Sequence, residues 1–540
     1  MNHQVPEDPA SSISCFATAA VLIYAGQWLR GDQSEFAAFF AMVLFVFSAA
    51  LVLAGIKAWN DWRNRREIEE SARTPSSIYG QSRWGTSLEA GAAGMLNGRG
   101  ILLGKLSGEV LSYPGETHVT VMAPPGAGKG VSLVIPNLLS YTGSMIVNDP
   151  KGELFAVTGT YRKEVLGQRV IVLCPWAEKM SEELGLEIPR HGFNPLSIVR
   201  AGPDAKDDCE LVSSLLLPGS PKMNASDEFW TDAGQSVITA FLLDLVSRYE
   251  RVDLCMVRKR LLAAPDDLKE SLIDISMNPD FGGAIAEYGG KLLATLANAP
   301  QQFEGGLGSA QKALRLYDAG SPLGQHVQNG EIDFRSIKES PTTIYLITPS
   351  DRIVTHAAHL NLVISLFIEL IGRDRSSRRV LFLLDEFANL GFMPNILRGM
   401  AQYRSQGVQI LAVIQQISQL ERLYGKEGLR EVLGMSELLC AFGIWEAETL
   451  RLLTELIGSQ TVKSMSTSIS PEIQGSKFSC STSSSDVGVP LMRSDEIRTM
   501  PSNEMLLLYR NLPPFKAEKL NYLSDRYLRG RANPNPYHRR

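Results

Sequence analysis

The sequence predicts an α/β protein with a doubly wound parallel sheet, an all-helical stretch set within it, and a two-helix membrane hairpin ahead of it. Three observations predict this architecture. Two apolar runs of membrane-spanning length fill the first sixty residues. Short apolar runs rich in β-branched residues recur between helical patterns from residue 118 onward. Between residues 205 and 331 those runs stop, and only helical patterns remain.

The two apolar runs cover residues 11–29 and 36–58, the second broken only by Lys57 near its end. A spanning helix needs about 20 apolar residues, so both qualify. The short polar loop 30–35 makes them a hairpin with both chain ends on one side. A cleaved signal peptide fits poorly, because the start MNHQVPEDPA carries no positive n-region. Lys57, Arg63, Arg65 and Arg66 follow the second run, so the N-terminus and the large remainder are expected on the cytoplasmic side. A later apolar run, 360–371, is only 12 residues long and holds Asn361 and Glu369. It reads as a buried soluble helix.

The runs 118–122, 144–148, 169–174, 342–347, 380–384, 408–414 and 438–444 are mostly apolar throughout, as suits strands buried on both faces of a parallel sheet. A helix is expected from about 130 to 139. Residues 205–331 carry helical patterns such as 230–246, with Asp227 as its expected N-cap, and 266–275. They read as an all-α domain inserted between the two parts of the α/β domain, 61–204 and 332–528. Residues 464–485 are rich in Ser, Thr and Gly and read as a flexible surface loop. Residues 529–540 are basic and rich in Pro and Asn, and read as a disordered tail.

Composition narrows the function classes. At about 100–200 residues per domain, 540 residues suggest three or four units. With 53 Lys plus Arg against 58 Asp plus Glu, the net charge is −5, so any nucleic-acid surface must be local. Charged residues at 21% and apolar residues at 44% exclude wholesale disorder and a fibrous protein. Mean hydropathy near zero excludes a polytopic carrier. Cys15, Cys174, Cys209, Cys255, Cys440 and Cys480 are widely spread with no C-x-x-C spacing. That argues against a structural zinc site and a disulfide scaffold, and for a reducing compartment.

The chemistry is carried first by Ala123-Pro124-Pro125-Gly126-Ala127-Gly128-Lys129-Gly130-Val131, which follows a strand and opens a helix. That is the context of a phosphate-binding loop. Backbone N–H groups wrap the phosphate, which demands small residues at Gly126 and Gly128, and the helix N-terminus adds its dipole. Lys129 reaches the β- and γ-phosphates. Two positions depart from G-x-x-x-x-G-K-[ST]. Ala123 replaces the first Gly, and Gly130 replaces the Ser/Thr whose hydroxyl meets Mg²⁺; Ser132 or a water is the expected substitute.

The second element is Val380-Leu381-Phe382-Leu383-Leu384-Asp385-Glu386, an apolar strand ending in two carboxylates. In P-loop NTPases an Asp at this strand end holds Mg²⁺, and an adjacent Glu acts as general base toward water. The strand 408–414 ends at Gln415, where a polar side chain can sense the γ-phosphate. Asp149-Pro150-Lys151-Gly152-Glu153 adds charge at the strand edge where ligands gather.

The segments GAGKGVSLVIPNLL, NDPKGELFAVT, FNPL, EFWTDAGQSVITAFL, LLDEFANLG and IQQISQLERLYG, in that order behind a membrane hairpin, resemble the type IV secretion coupling proteins of the VirD4/TraG family. The resemblance runs from about residue 82 to 526, and a Gly after the loop Lys also occurs in that family. It implies a membrane-anchored, hexameric ATPase of the bacterial inner membrane, with a RecA-like P-loop domain and an inserted all-α domain that helps select substrates. It implies ATP and Mg²⁺ as ligands. Its partners would be secretion-channel components, and a relaxase with single-stranded DNA or else protein effectors. By the same resemblance Lys129 is the phosphate lysine, Asp385 the Mg²⁺ aspartate acting through water, Glu386 the catalytic glutamate and Gln415 the sensor. Arg398, Arg404 and Arg430 are candidates for an arginine finger. Two rivals remain: a nucleotide-binding docking receptor without turnover, and a DNA translocase of the FtsK type.

Overall fold

The computed structural model describes residues 9–30, 35–73, 77–220, 222–330, 337–376, 378–470 and 479–538. The chain forms two compact units, fewer than the three or four that length suggests. One combines residues 1–82 with 458–491, and the other holds residues 83–457 and 492–540. Each is built from segments far apart in the chain, which a residue count does not reveal.

The strands among the described residues are, in chain order, β1 (Ile101–Leu106), β2 (Glu109–Tyr113), β3 (His118–Met122), β4 (Ser144–Asp149), β5 (Arg169–Leu173), β6 (Thr342–Ile347), β7 (Val380–Leu384), β8 (Val408–Ile414), β9 (Ser436–Ala441), β10 (Ser459–Ser470), β11 (Ser479–Pro490), β12 (Glu504–Tyr509) and β13 (Phe515–Glu518).

In the first unit, helices Pro9–Leu29 and Glu35–Arg73 pack along each other. The contact uses small residues. Ala19 and Ala41 are buried, and a Cβ on Gly26 would stand 3.3 Å from the Phe45 ring. Close approach of this kind is how apolar helices associate when no water drives them together. Phe39, Phe47, Val46 and Leu53 point outward and exposed. The second helix runs on past the apolar stretch, because residues 59–73 hold no Gly or Pro to stop it. Part of the polar loop, 31–34, lies outside the described residues.

The same unit holds the Ser-rich stretch. Instead of a flexible loop, 464–470 and 479–485 belong to β10 and β11, an antiparallel ribbon paired from Ser459↔Pro490 to Ser470↔Ser479. Ser recurs at every second position of 464–470 with Met465, Thr467 and Ile469 between, and the ribbon has no interior proline, which suits a strand. Its centre, 471–478, lies outside the described residues.

The second unit is organised by an eleven-stranded sheet in the order β2-β1-β13-β12-β9-β3-β8-β7-β4-β6-β5. From β9 to β5 every neighbouring pair is parallel; β12, β13, β1 and β2 extend it antiparallel. All residues of β3, β4, β6, β7 and β8 are buried. This two-faced burial is why they read as unbroken apolar runs.

Between β5 and β6 the described residues form helices and no strand. They include Ala205–Leu216, Ala225–Arg248, Pro265–Met277, Ala284–Asn298 and Pro300–Leu314, and they belong to the same compact unit as the sheet. Asp227 is not the cap of the second helix. Asn224 is, its Oδ1 accepting the Asp227 N–H at 2.9 Å, which leaves Asp227 in the first turn. Ala225–Arg248 meets Pro300–Leu314 at glycines: a Cβ on Gly305 would overlap the Trp230 ring, so only glycine permits that approach.

The apolar run 360–371 lies inside helix Ile353–Arg373. Its polar residues are satisfied by protein. Glu369 accepts from Tyr403 Oη at 2.9 Å and from Asn395 Nδ2 at 3.1 Å, and Asn361 Nδ2 donates to the Phe392 carbonyl at 2.8 Å. Of its apolar stretch 61% is buried within the protein, against 17% for Phe36–Asn64. The first is a core helix; the second keeps most of its apolar surface uncovered.

Candidate active site

Four of the parallel strands deliver chemistry to one edge of the sheet. The Gly-rich loop follows β3, Gln415 follows β8, Asp385 and Glu386 follow β7, and Asp149 ends β4. These are carboxyl ends of adjacent parallel strands, where ligands bind in α/β sheets.

The loop is held by its surroundings. The Ala123 N–H donates to the Ile414 carbonyl at 2.9 Å and so extends the β3–β8 ladder by one residue. Gly126 and Gly128 take φ of +78° and +86°. A side chain in that region costs about 1–2 kcal/mol. Nothing would crowd a Cβ on Gly126, so conformation and not space demands glycine there. Gly130 has neither a left-handed φ nor near neighbours.

The expected helix 130–139 opens as a π turn, Gly130–Val134, before the α-helical Ile135–Leu138. The Ile135 N–H reaches back to the Gly130 carbonyl, and Pro136 has no N–H with which to restore the tighter register. Ser132 does not replace the missing hydroxyl of Gly130. It is buried, and its Oγ donates to the Gly128 carbonyl at 2.9 Å.

Lys129 Nζ lies 2.9 Å from Asp385 Oδ1 and 3.5 Å from Glu386 Oε1. These are ion pairs by distance, but their angles fall outside hydrogen-bond geometry, and the buried ammonium has no aligned acceptor. A buried donor left this way is costly unless oxygens reach it, and phosphate oxygens fit that need.

Burial holds the Asp385 carboxyl above the usual range, with Lys129 opposing. Its backbone carbonyl is fixed by Asn148 Nδ2 at 2.7 Å. Asp149 is fully buried, and burial pushes its carboxyl up to about 7, although the N–H groups of Phe155 (2.8 Å) and Leu154 (3.2 Å) bind it. Two buried carboxyls on neighbouring strand ends suit a cation. Among the described residues no group of three or more His, Cys, Asp or Glu could hold a metal alone, so Mg²⁺ here would also take phosphate oxygens.

Glu386 is one of few non-glycine residues with positive φ, at +57°. Its carboxylate accepts from Asn389 Nδ2 at 2.8 Å, and its backbone N–H donates to Asp385 Oδ1 at 3.1 Å. Strain of this kind is typical of functional positions, and here it aims the carboxylate toward Lys129.

A cavity of about 360 Å³ lies between these elements. Of the residues the sequence singles out, Gly126, Gly128, Lys129, Gly130, Val131, Asp385 and Glu386 line it. Ala123, Pro124, Pro125 and Ala127 shape the loop behind it. Gln415 sits half-buried at the end of β8 but does not line the cavity, and neither do Arg398, Arg404 or Arg430. Arg404 precedes β8, at the opposite end of the strand from the loop.

Sequence reasoning missed the support from the far end of the chain. Lys519 Nζ donates to the Ala127 carbonyl at 2.7 Å while lying over the Phe442 ring, and the Tyr522 N–H donates to the Val131 carbonyl at 3.3 Å. No local pattern marks contacts across so many residues. A larger cavity, about 790 Å³, lies at the opposite ends of the strands. Its cations are already engaged: Arg200 and Arg373 with Asp208, and Lys338 with backbone carbonyls.

The fold and this site define a mixed α/β nucleotide-binding protein of the P-loop class. Residues 63–539 match the family described as type IV secretory system conjugative DNA transfer, and the chain belongs to that family of coupling proteins. It is 28% identical over 484 residues to the protein VirD4 of Agrobacterium fabrum, covering 84% of this chain and 67% of that one. It is 21% identical to the conjugal transfer protein TraG of Escherichia coli, covering 95% and 86%. The chain spans about two thirds of the length of the VirD4 relatives. Among solved structures it resembles the plasmid coupling protein TrwB bound to the non-hydrolysable ATP analogue ADPNP, with a TM-score of 0.59, 16% identity, and coverage of 82% and 95%. TrwB has also been solved with ADP and Mg²⁺.

Proposed function

We propose that this protein is the ATP-driven coupling protein of a type IV secretion system. It would recruit a relaxase-bound single strand of DNA at the bacterial inner membrane and deliver it to the channel. The observation that carries this reading is the convergence of Lys129, Asp385 and Glu386 on one cavity behind the Gly-rich loop.

ATP would bind with its phosphates against the N–H groups of residues 126–131 and the Lys129 ammonium. Mg²⁺, when bound, supplies charge neutralisation of the phosphates, and Asp385 would hold it through water. The Glu386 carboxylate would take a proton from the attacking water, with Asn389 fixing its orientation. Gln415, one strand away, would sense the γ-phosphate from the end of β8. A RecA-like motor of this kind would work as a homo-hexamer, and a finger arginine would then come from a neighbouring copy.

Helices Pro9–Leu29 and Glu35–Arg73 would form the membrane anchor, with N-terminus and ATPase in the cytoplasm. Their exposed apolar surface and the basic residues after residue 56 support this. The helices between β5 and β6 would form the all-α domain that selects substrates.

The test is plasmid transfer from cells whose own copy is replaced by Lys129→Ala or Glu386→Gln. Loss of transfer with normal membrane levels supports the reading, and wild-type transfer refutes it. A second reading, a docking receptor that binds nucleotide without turnover, draws on Gly130 and on the committed Ser132 hydroxyl. It would pass protein effectors and keep function in Glu386→Gln.

A further inference from the structure

The basic segment 529–540 reads as a disordered tail, yet 529–538 is laid down in the second unit, and only 539–540 lies outside the described residues. It follows helix Glu153–Glu164 back toward that helix's N-terminus. The Asn533 N–H donates to the Val157 carbonyl at 2.9 Å, and Asn533 Nδ2 to Thr160 Oγ1 at 2.9 Å. Asn535 Nδ2 donates to Glu153 Oε1 at 2.5 Å, and Tyr537 Oη to the Lys151 carbonyl at 2.9 Å. Upstream, the Arg531 guanidinium lies over the rings of Tyr161 and Tyr527. The asparagines that make the segment look disordered are the residues that bind it to the helix backbone and side chains.

The path ends at the candidate site. Lys151 and Glu153 line the cavity, and so does His538. The segment is pinned to the helix and not to the Gly-rich loop, and the cavity keeps its volume of about 360 Å³ with the segment in place. His538 is therefore part of the wall and not a plug.

We infer that residues 533–538 form a strap that completes the nucleotide site, with the His538 imidazole donating a ring N–H to oxygens of the bound nucleoside triphosphate. The inference rests on the nucleotide reading above and adds a contact from the last turn of the chain. An imidazole suits this place because it can donate to a polyanion and also present a flat ring.

The experiment is equilibrium binding of a fluorescent, non-hydrolysable ATP analogue to the full-length chain in detergent. His538→Ala is expected to weaken binding by about 10- to 100-fold, the scale of one hydrogen bond to a charged group. Asn535→Ala, which frees the strap from Glu153 while leaving His538 in the sequence, should weaken it by a smaller factor. His538→Asn, which keeps a donor, should recover part of the loss. Unchanged melting without nucleotide would show that these variants are folded. Wild-type affinity in the strap variants, while Lys129→Ala loses binding, overturns the inference and leaves the site standing. Tighter binding in the strap variants also overturns it, because the strap would then obstruct the site. No binding by the wild-type chain overturns both readings.

Discussion

Lys129 Nζ stands 2.9 Å from Asp385 Oδ1, joining the Gly-rich loop after β3 to the carboxylate end of β7 across the intervening strand β8. The pair is largely buried; Lys129 has a second countercharge in Glu386 at 3.5 Å, whereas Glu386 only adds like charge beside Asp385. Removing one member leaves the other as an uncompensated charge in a poorly solvated place.

Lys129→Ala should therefore weaken binding of an ATP analogue by about 10- to 100-fold, following loss of a charge-assisted hydrogen bond of about 1.5–3 kcal/mol. It should abolish hydrolysis and leave membrane insertion intact. Titration of the analogue against detergent-solubilised protein checks the first, and fractionation the last. Normal turnover in this variant would sink the assignment of the loop.

Glu386 separates backbone from chemistry. Its left-handed φ of +57° is a conformation that glycine adopts freely. Glu386→Gly should leave the fold as stable or stabilise it by about 0.5–1 kcal/mol, while hydrolysis is lost. Glu386→Gln keeps the backbone cost and should lower hydrolysis by about 10²- to 10⁴-fold with nucleotide binding retained. Thermal melting and turnover, measured on both variants, distinguish the two effects. A strong destabilisation by glycine would contradict the strain reading.

The buried histidines set an acid limit. His118 Nδ1 accepts the Ile410 N–H at 3.1 Å, and its Nε2 faces the Met400 carbonyl at 2.9 Å, so the neutral ring is fully used. Burial pushes its pKa down to about 4, and that of His326 likewise. In the unfolded chain both return to about 6.5, so the unfolded state takes up protons first as pH falls. Stability should be full above about 6.5 and fall progressively toward pH 4, by up to about 3 kcal/mol per histidine. Denaturant midpoints at pH 7 and 4.5 test this. His118→Gln should flatten the dependence, and an unchanged slope would contradict it.

The hairpin makes a separate prediction. Val46 is exposed near the middle of the apolar run 36–58. Val46→Arg places a charge on that outward face, at a cost of about 2.5–3.5 kcal/mol for a residue at the centre of a spanning helix. Membrane recovery after carbonate extraction should drop. Undiminished recovery would argue that this face does not meet lipid.

What was legible in the sequence follows from burial. β3, β4, β6, β7 and β8 are covered on both faces, so their apolar runs mark the strands within a residue or so. The loop at Gly126 and Gly128 and the Asp385–Glu386 pair were equally plain, because phosphate chemistry restricts residues at fixed spacing. β1, β2, β12 and β13 were not. β2 begins half-exposed and β13 alternates buried with exposed, so short runs such as Phe515–Glu518 carry little signal alone. Asn224 lost to Asp227 as the expected cap because both residue types cap helices, and only geometry separates them. The strap was hidden for a similar reason. Asn533 and Asn535 look like loop residues until helix Glu153–Glu164 is beside them to accept their donors.

In the proposed function, Lys129, Asp385 and Glu386 run ATP hydrolysis coupled to DNA. The most direct measurement is Mg²⁺-dependent ATPase activity of the full-length protein, with and without single-stranded DNA, beside Lys129→Ala and Glu386→Gln. The expected result is hydrolysis that DNA stimulates and that both variants lose. Hydrolysis that persists in Glu386→Gln, or a wild-type protein that binds nucleotide and never turns it over, would contradict it.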